Sequence, residues 1–319
     1  MLERIACRGR FAGFNSGQWD AENDLFFTMT TATPSHPPAP SGSREQPYVL
    51  GTGTDEAFRL GLQHRLWSNS AFDLWIRAGL QPGMRALDLG CGPGHASLDI
   101  AQIVGAQGRV VGVDESAAFL KQLGQESEAR KLHNIDRVLG DAQKLDHSLP
   151  SPATDDYFDI AYTRWVFCFV ASPDEVVKGI RRVLRPGGKL LVQDYFNYEF
   201  GITLAPRREA FSRAIKAVGQ SWRARGGNPD IMGELPRMLK RHGFEIEHMD
   251  VKQRIARPNT SMWHWPWTFF QSFLPKLVES GFLSQADCDG ALKEMAEVVT
   301  NDGAFMLLPP VFELIAVKS

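Results

Sequence analysis

The stretch Ala86-Leu87-Asp88-Leu89-Gly90-Cys91-Gly92-Pro93-Gly94-His95, running on into Ala96-Ser97-Leu98-Asp99-Ile100-Ala101, decides how this chain is read. A short apolar run ends in three glycines at alternate positions and passes into a helical pattern. That is a strand, a tight turn and a helix N-terminus. Glycines there let a ligand approach the backbone, and the free N–H groups of the first helical turn attract its polar groups. The stretch therefore proposes a nucleotide-type ligand and places it. Dinucleotide folds use G-x-G-x-x-G. Here Gly90 and Gly92 fit, but the third position is His95 and the glycine falls one residue early, at Gly94.

Four further segments follow in order. Arg109-Val110-Val111-Gly112-Val113-Asp114-Glu115-Ser116 is a β-branched strand ending in acids. Val138-Leu139-Gly140-Asp141-Ala142 comes next, then Tyr157-Phe158-Asp159-Ile160-Ala161-Tyr162-Thr163-Arg164-Trp165. The last is Val183-Leu184-Arg185-Pro186-Gly187-Gly188-Lys189-Leu190-Leu191-Val192. Together with the glycine turn, this series resembles the class I S-adenosylmethionine-dependent methyltransferases, a Rossmann-like family. The resemblance is sharp from Leu87 to Val192 and extends less sharply over about Tyr48 to Ser319.

That resemblance implies a set of cofactor contacts. Gly90, Cys91, Gly92 and Gly94 form the loop, and Asp88 lies near the methionine end. Asp114 accepts the ribose hydroxyls, with Glu115 beside it. Asp141 accepts from the adenine amine, with the Ala142 N–H near the ring. Thr163 and Arg164 lie under the methyl donor, where a backbone carbonyl accepts from its ammonium group. Cys91 reads as a small buried filler rather than a nucleophile.

Composition bounds the alternatives. A hydrophobic content of 43% supports a full core, and a formal net charge of −2 gives no electrostatic case for nucleic acid. Basic residues gather in 207–225 and 237–241, and read as solvated helix faces. Cys7, Cys91, Cys168 and Cys288 lie far apart with no C-x-x-C, so no metal site and no redox pair is expected. Arsenic methyltransferases share such a core but need several converging thiols. The N-terminus lacks a signal-peptide apolar core, and no segment reaches the ~18 apolar residues of a membrane helix. A cytoplasmic protein without membrane insertion is expected; its oligomeric state stays open.

Residues 1–45 are rich in Pro, Ser and Thr around Thr30 to Ser43 and read as a disordered extension. Met29 offers a second candidate start of translation. Residues 46–319 read as one α/β domain. Its core is a Rossmann-like seven-stranded sheet, mostly parallel, with helices on both faces. By resemblance, its last strand, Val311 to Val317, runs antiparallel between strands five and six. Phe58, Leu60, Leu62, Leu66 and Trp67, then Phe72, Trp75 and Leu80, suggest two amphipathic lid helices within 54–80. Tyr48 and Gln63 are possible contacts from that lid. Segments 198–232 and 259–303 exceed the minimal fold and are expected to cap the strand ends, where open α/β sheets bind ligands.

The second segment carries Trp263, Trp265 and Trp267, with Pro266 expected to break any helix. It lines an acceptor pocket or anchors the cap. His264 is its titratable group and a candidate general base, or merely satisfies a local hydrogen bond. Tyr195, Tyr198 and Asp194 follow strand five and face the acceptor or pack. Trp165 walls the methyl pocket or packs.

The expected function is methyl transfer from S-adenosylmethionine to a small, hydrophobic or aromatic acceptor by in-line displacement. The core resembles the quinone-methylating group, although Thr163-Arg164-Trp165-Val166-Phe167 departs from the menaquinone pattern, which leaves the methylated atom open. The rivals are a nicotinamide-dependent oxidoreductase, whose glycine spacing fails here, and a non-catalytic cofactor-binding sensor or scaffold. An RNA methyltransferase is disfavoured by charge.

Overall fold

The computed structural model describes residues 54–147, 149 and 156–319; the proposed extension 1–45 and Tyr48 lie outside the described residues. The chain begins with α1 (Thr54–Ala78) and then alternates strand and helix: β1 (Arg85–Leu89), α2 (His95–Val104), β2 (Arg109–Asp114), α3 (Ala117–Ala129), β3 (Ile135–Leu139), β4 (Phe158–Arg164), α4 (Pro173–Val183) and β5 (Leu184–Tyr195). Side-chain alternation puts Leu87, Val111 and Ala161 in one apolar layer and Ala86, Val110 and Ile160 in the other. Both faces are covered, as near-continuous apolar strands of a parallel sheet require.

The sheet order is β3-β2-β1-β4-β5-β10-β7, where β7 is Phe244–Lys252 and β10 is Val311–Lys318. Leu87 pairs with Val111 on one side and Ala161 on the other, both parallel. β10 runs antiparallel to both neighbours, Leu314 facing Val192 of β5 and Met249 of β7. The seven-stranded sheet with its single reversed strand is thus as expected. The chain reverses its winding between β1 and β4, so a crevice opens above their C-terminal ends.

Local signals explain the elements. α4 has Pro173 in its first turn, Asp174 and Glu175 beside it, and Arg181 and Arg182 in its last turn. These charges oppose the helix dipole at each end. Its Val176, Val177, Ile180 and Val183 enter the core.

The first insertion holds α5 (Tyr198–Gly201), β6 (Thr203–Ala205) and α6 (Glu209–Ala224), and the second holds α8 (Ser261–Glu279) and α9 (Gln285–Val298); α7 (Leu235–Arg241) lies just past the first, and β8 (Ile255–Ala256) and β9 (Phe305–Leu307) flank the second. β6, β9 and β8 form a small antiparallel sheet. Phe211 of α6 packs edge-on against Phe270 of α8.

Two expectations are corrected. The region 54–78 is one helix of 25 residues, not two. The polar Ser68-Asn69-Ser70 does not break it, because Ser70 is buried and its hydroxyl donates to Glu313 Oε1 at 2.5 Å. Pro266 does not end a helix either: α8 runs through it and through Pro275. An interior proline loses one backbone bond and costs roughly 3 kcal/mol. Burial of Trp263, Trp265, Phe270 and Phe273 along the same helix offsets that cost.

A polar knot ties α1 to the sheet. Gln193 Nε2 donates to Ser70 Oγ at 2.7 Å and to Glu313 Oε1 at 2.8 Å, while Tyr162 donates its hydroxyl to Gln193 Oε1 at 2.6 Å. Gln193→Leu keeps the volume but strands these partners. It is expected to cost about 1–3 kcal/mol of stability in urea unfolding. An unchanged midpoint and slope would contradict a cooperative knot.

Candidate active site

The loop after β1 is pinned from beneath. Gly90 and Cys91 both donate their N–H to the Val113 carbonyl, at 2.8 and 3.0 Å, and Gly94 N–H closes back onto Cys91 O at 3.0 Å. Gly94 has φ 86, and a Cβ there would stand 2.2 Å from Leu123 Cδ1. Only glycine fits that packing. Gly92, at φ 55, differs: a Cβ there would meet nothing within 4 Å. Its open side faces a cleft bordered by Gly90, Cys91, Gly92 and His95.

Acids surround this loop. Asp114, at the end of β2, accepts from Gly92 N–H at 2.7 Å and from Ser116 N–H at 2.9 Å. Burial raises its pKa, and those two donors oppose the rise. Each carboxylate oxygen keeps a lone pair for a ligand. Asp88 is buried and accepts from Ser97 Oγ at 2.5 Å. Burial pushes its pKa up to about 6, with the Ser97 hydrogen bond opposing. The Cys91 thiol is pushed up by the same burial and is no thiolate at neutral pH.

Glu115, Asp141 and Ala142 also border the cleft. Asp141 Oδ1 accepts from the Gln143 N–H at 2.9 Å, and its Oδ2 lies 3.9 Å from Lys144 Nζ. Of the remaining predicted contacts, Arg164 lines the cleft, whereas Gly94 and Thr163 do not. Thr163 is fully buried beneath it and its hydroxyl lacks a hydrogen-bond partner.

Beyond Arg164 the cleft becomes an aromatic chamber. Trp165 has φ 55, a left-handed backbone rare for a bulky residue. Such strain concentrates at functional sites. Its ring stacks near Tyr195 (centroids 6.0 Å apart, planes 27°) and Trp265 (6.2 Å, 29°). Tyr198 lies edge-on to Tyr195 at 5.0 Å and against Trp222 at 4.7 Å. Both insertions supply walls: Tyr198 and Trp222 from the first, Trp265 and Phe270 from the second. From α1, Gln63 reaches across; its Oε1 accepts from Trp265 Nε1 at 2.8 Å and from Arg59 Nη1 at 3.0 Å.

His264 is corrected as a candidate base. It is exposed and does not border the chamber. In an extended strand it would alternate with the tryptophans, but α8 is helical and turns it to solvent. Tyr195 and Tyr198 do border the chamber, yet burial drives both phenol pKa values upward. Both phenols therefore stay protonated at neutral pH.

Sequence reasoning missed Trp222 and Phe169, which stack edge-on at 4.8 Å in the wall. Trp222 sits in the basic stretch taken as a solvated face. The face is solvated, but the other side of α6 is buried.

With this geometry in place, comparison with known proteins is direct. The model of the methyltransferase domain family matches residues 80–260, more than half of the chain, and the chain belongs to that family. It is 35% identical over 161 residues to a 2-phytyl-1,4-naphthoquinone methyltransferase of Synechococcus elongatus, covering 50% of this chain and 64% of the relative. It is 34% identical over 134 residues to a ubiquinone/menaquinone biosynthesis C-methyltransferase of Vibrio vulnificus, covering 41% and 48%. The chain therefore spans less than two thirds of the length of these curated relatives. Among solved structures, a putative methyltransferase from Bacillus halodurans superposes with a TM-score of 0.54 at 20% identity, over 77% of this chain and 97% of that one. That likeness concerns the fold.

Asp88 sets a pH dependence. In the fold its carboxyl holds a proton up to about pH 6, whereas its ordinary value is 3.8. Its neutral form thus adds stability below about pH 4, and this is lost as pH rises through 6. Asp88→Asn never ionises. Its unfolding free energy relative to wild type is expected to rise by about 2–3 kcal/mol between pH 4 and pH 7 in urea titrations. A difference flat with pH would contradict a carboxyl kept protonated by burial.

Proposed function

We propose that this protein transfers a methyl group from S-adenosylmethionine to a small aromatic or apolar acceptor held in the aromatic chamber. One observation carries the reading: a single cleft runs from the glycine loop into that chamber. The residues present fit the donor. The bare side of Gly92 leaves room for a nucleoside against the backbone. Asp114, flanked by Glu115, meets ribose hydroxyls. Asp141 and Ala142 meet the adenine edge. Asp88 and the backbone of residues 163–164 meet the ammonium group. Gly94 and Thr163 act from behind, by shaping the loop and the floor.

When bound, the sulfonium supplies a methyl carbon electrophilic enough for direct displacement. The chain's own part is placement and exclusion of water. Trp165, Tyr195, Trp222 and Trp265 close the chamber with apolar faces. Holding two reactants at near-attack geometry is worth up to ~7–11 kcal/mol of barrier. The Tyr195 and Tyr198 hydroxyls make no hydrogen bond to described residues and remain to donate to an acceptor oxygen. Among the described residues the chamber walls beyond Arg164 carry no carboxylate or imidazole, so the acceptor gives up the proton released on methyl transfer to water.

The relatives named for quinones support a flat, oxygen-bearing ring as acceptor, which suits aromatic walls with two phenol donors. Cys91, Cys168 and Cys288 are free and buried, as in a reducing compartment. Among the described residues no helix is long and apolar enough to cross a membrane. The reading is of a cytoplasmic enzyme.

The test is transfer of a labelled methyl group to a panel of hydroquinones, phenols, thiols and amines. Transfer to an aromatic acceptor is expected, with kcat lowered about tenfold or more in Tyr198→Phe while donor affinity stays constant. Tight binding of NADH and none of S-adenosylmethionine would overturn the reading.

A further inference from the structure

Arg164 stands at the junction of loop and chamber, where its charge acts on Asp88 and Tyr162 without a salt bridge among the described residues. It borders the cleft. Its guanidinium lies over the Trp165 ring at 5.1 Å. Nη2 sits 3.0 Å from His64 Nδ1, while Nη1 is buried with no hydrogen-bond partner.

The chemistry of this contact fixes a tautomer. A guanidinium has donors only, so His64 Nδ1 must accept and carry no proton. The proton is then on Nε2, which donates to Asp99 Oδ2 at 2.8 Å. Asp99 lies on α2, His64 on α1 and Arg164 at the end of β4. The His64 ring also stacks at 5.5 Å on His95, which borders the cleft. Three separate elements thus converge to orient one cation.

Asp88 lies across the same end of the cleft and feels the Arg164 charge. A buried acid and an unpaired guanidinium beside one loop complement an amino-acid head group, ammonium to one and carboxylate to the other. We propose that Asp99 and His64 form a positioning relay that aims Arg164 at the carboxylate of the donor's methionine end, so that α1 engages the cofactor only while His64 is neutral. This rests on the donor reading given above.

The relay is pH-sensitive by construction. A protonated His64 cannot accept from Arg164, and it would bring two cations into contact. Burial lowers the His64 pKa, and Arg164 lowers it further, against the opposing hydrogen bond to Asp99. The charged or titratable groups facing His64 are Asp99 and His95 from α2, Arg164 from β4 and Arg65 on its own helix.

Calorimetry with two ligands tests this. S-adenosylhomocysteine carries the amino-acid head; 5′-methylthioadenosine keeps the adenosine and sulfur but lacks it. Wild type is expected to prefer the first strongly. Arg164→Met should weaken S-adenosylhomocysteine by about tenfold to a hundredfold. It should leave methylthioadenosine within about twofold, which also shows that the variant is folded. His64→Leu should reduce the same preference.

His64→Gln retains an acceptor and a donor but cannot titrate. Wild-type preference should hold down to pH 6.5 and fall below it, and His64→Gln should flatten that fall. Asp88 titrates in the same window and is present in both proteins, so the difference between the two profiles belongs to His64. Equal weakening of both ligands by Arg164→Met would overturn the proposal, as would identical profiles in wild type and His64→Gln. Failure of wild type to bind either ligand would instead defeat the donor reading itself.

Discussion

Two backbone N–H groups, from Gly90 and Cys91, share the carbonyl of Val113, and a third, from Gly92, reaches the Asp114 carboxylate. These bonds fasten the turn after the first strand to the end of its neighbour. The turn can then leave Gly92 bare toward the cleft and still hold one shape. Everything the site offers is referred to that shape. The helix that starts at His95 points its free N–H groups over it, and the switch in winding between β1 and β4 clears the space above it.

The remaining machinery is brought to this crook by elements foreign to the minimal sheet. The first half of α1 supplies Arg59 and Gln63 to the cleft, while its second half buries Leu74 and Trp75 against the sheet. One continuous helix therefore couples lid and core, with the Ser70–Gln193–Glu313 knot at the crossover. α8 does the same for the cap: Trp265 faces the chamber and bonds to Gln63, while Phe273 and Leu274 fill the layer beneath. Lid and cap meet at that tryptophan–glutamine bond. The chamber is aromatic because three separate segments each contribute rings that must bury one another.

Much of this was legible from the residues. Five strands announce themselves as β-branched runs between helical patterns, and the glycine turn locates the cleft. The reversed last strand was legible through family likeness rather than through its own residues. The misreadings have physical causes. The apolar groups Phe58 to Trp67 and Phe72 to Leu80 read as two helices because the inward hydrogen bond of Ser70 to Glu313, 243 residues away, leaves no local trace. Pro266 looked like a stop because local propensity carries no record of the burial that outweighs it. His264 was placed beside the tryptophans by proximity in the chain, and helical geometry moved it to solvent. Arg164 was recognised for its backbone alone; its side chain's role depends on His64 and Asp99, both distant in sequence.

The most direct measurement is a crystal structure of the protein with S-adenosylhomocysteine. The expected result is the nucleoside lying over the bare side of Gly92, ribose hydroxyls on Asp114, the sulfur turned toward Trp165. Density for the ligand elsewhere, or a loop whose open face is filled by the protein's own side chains, would contradict the central claim.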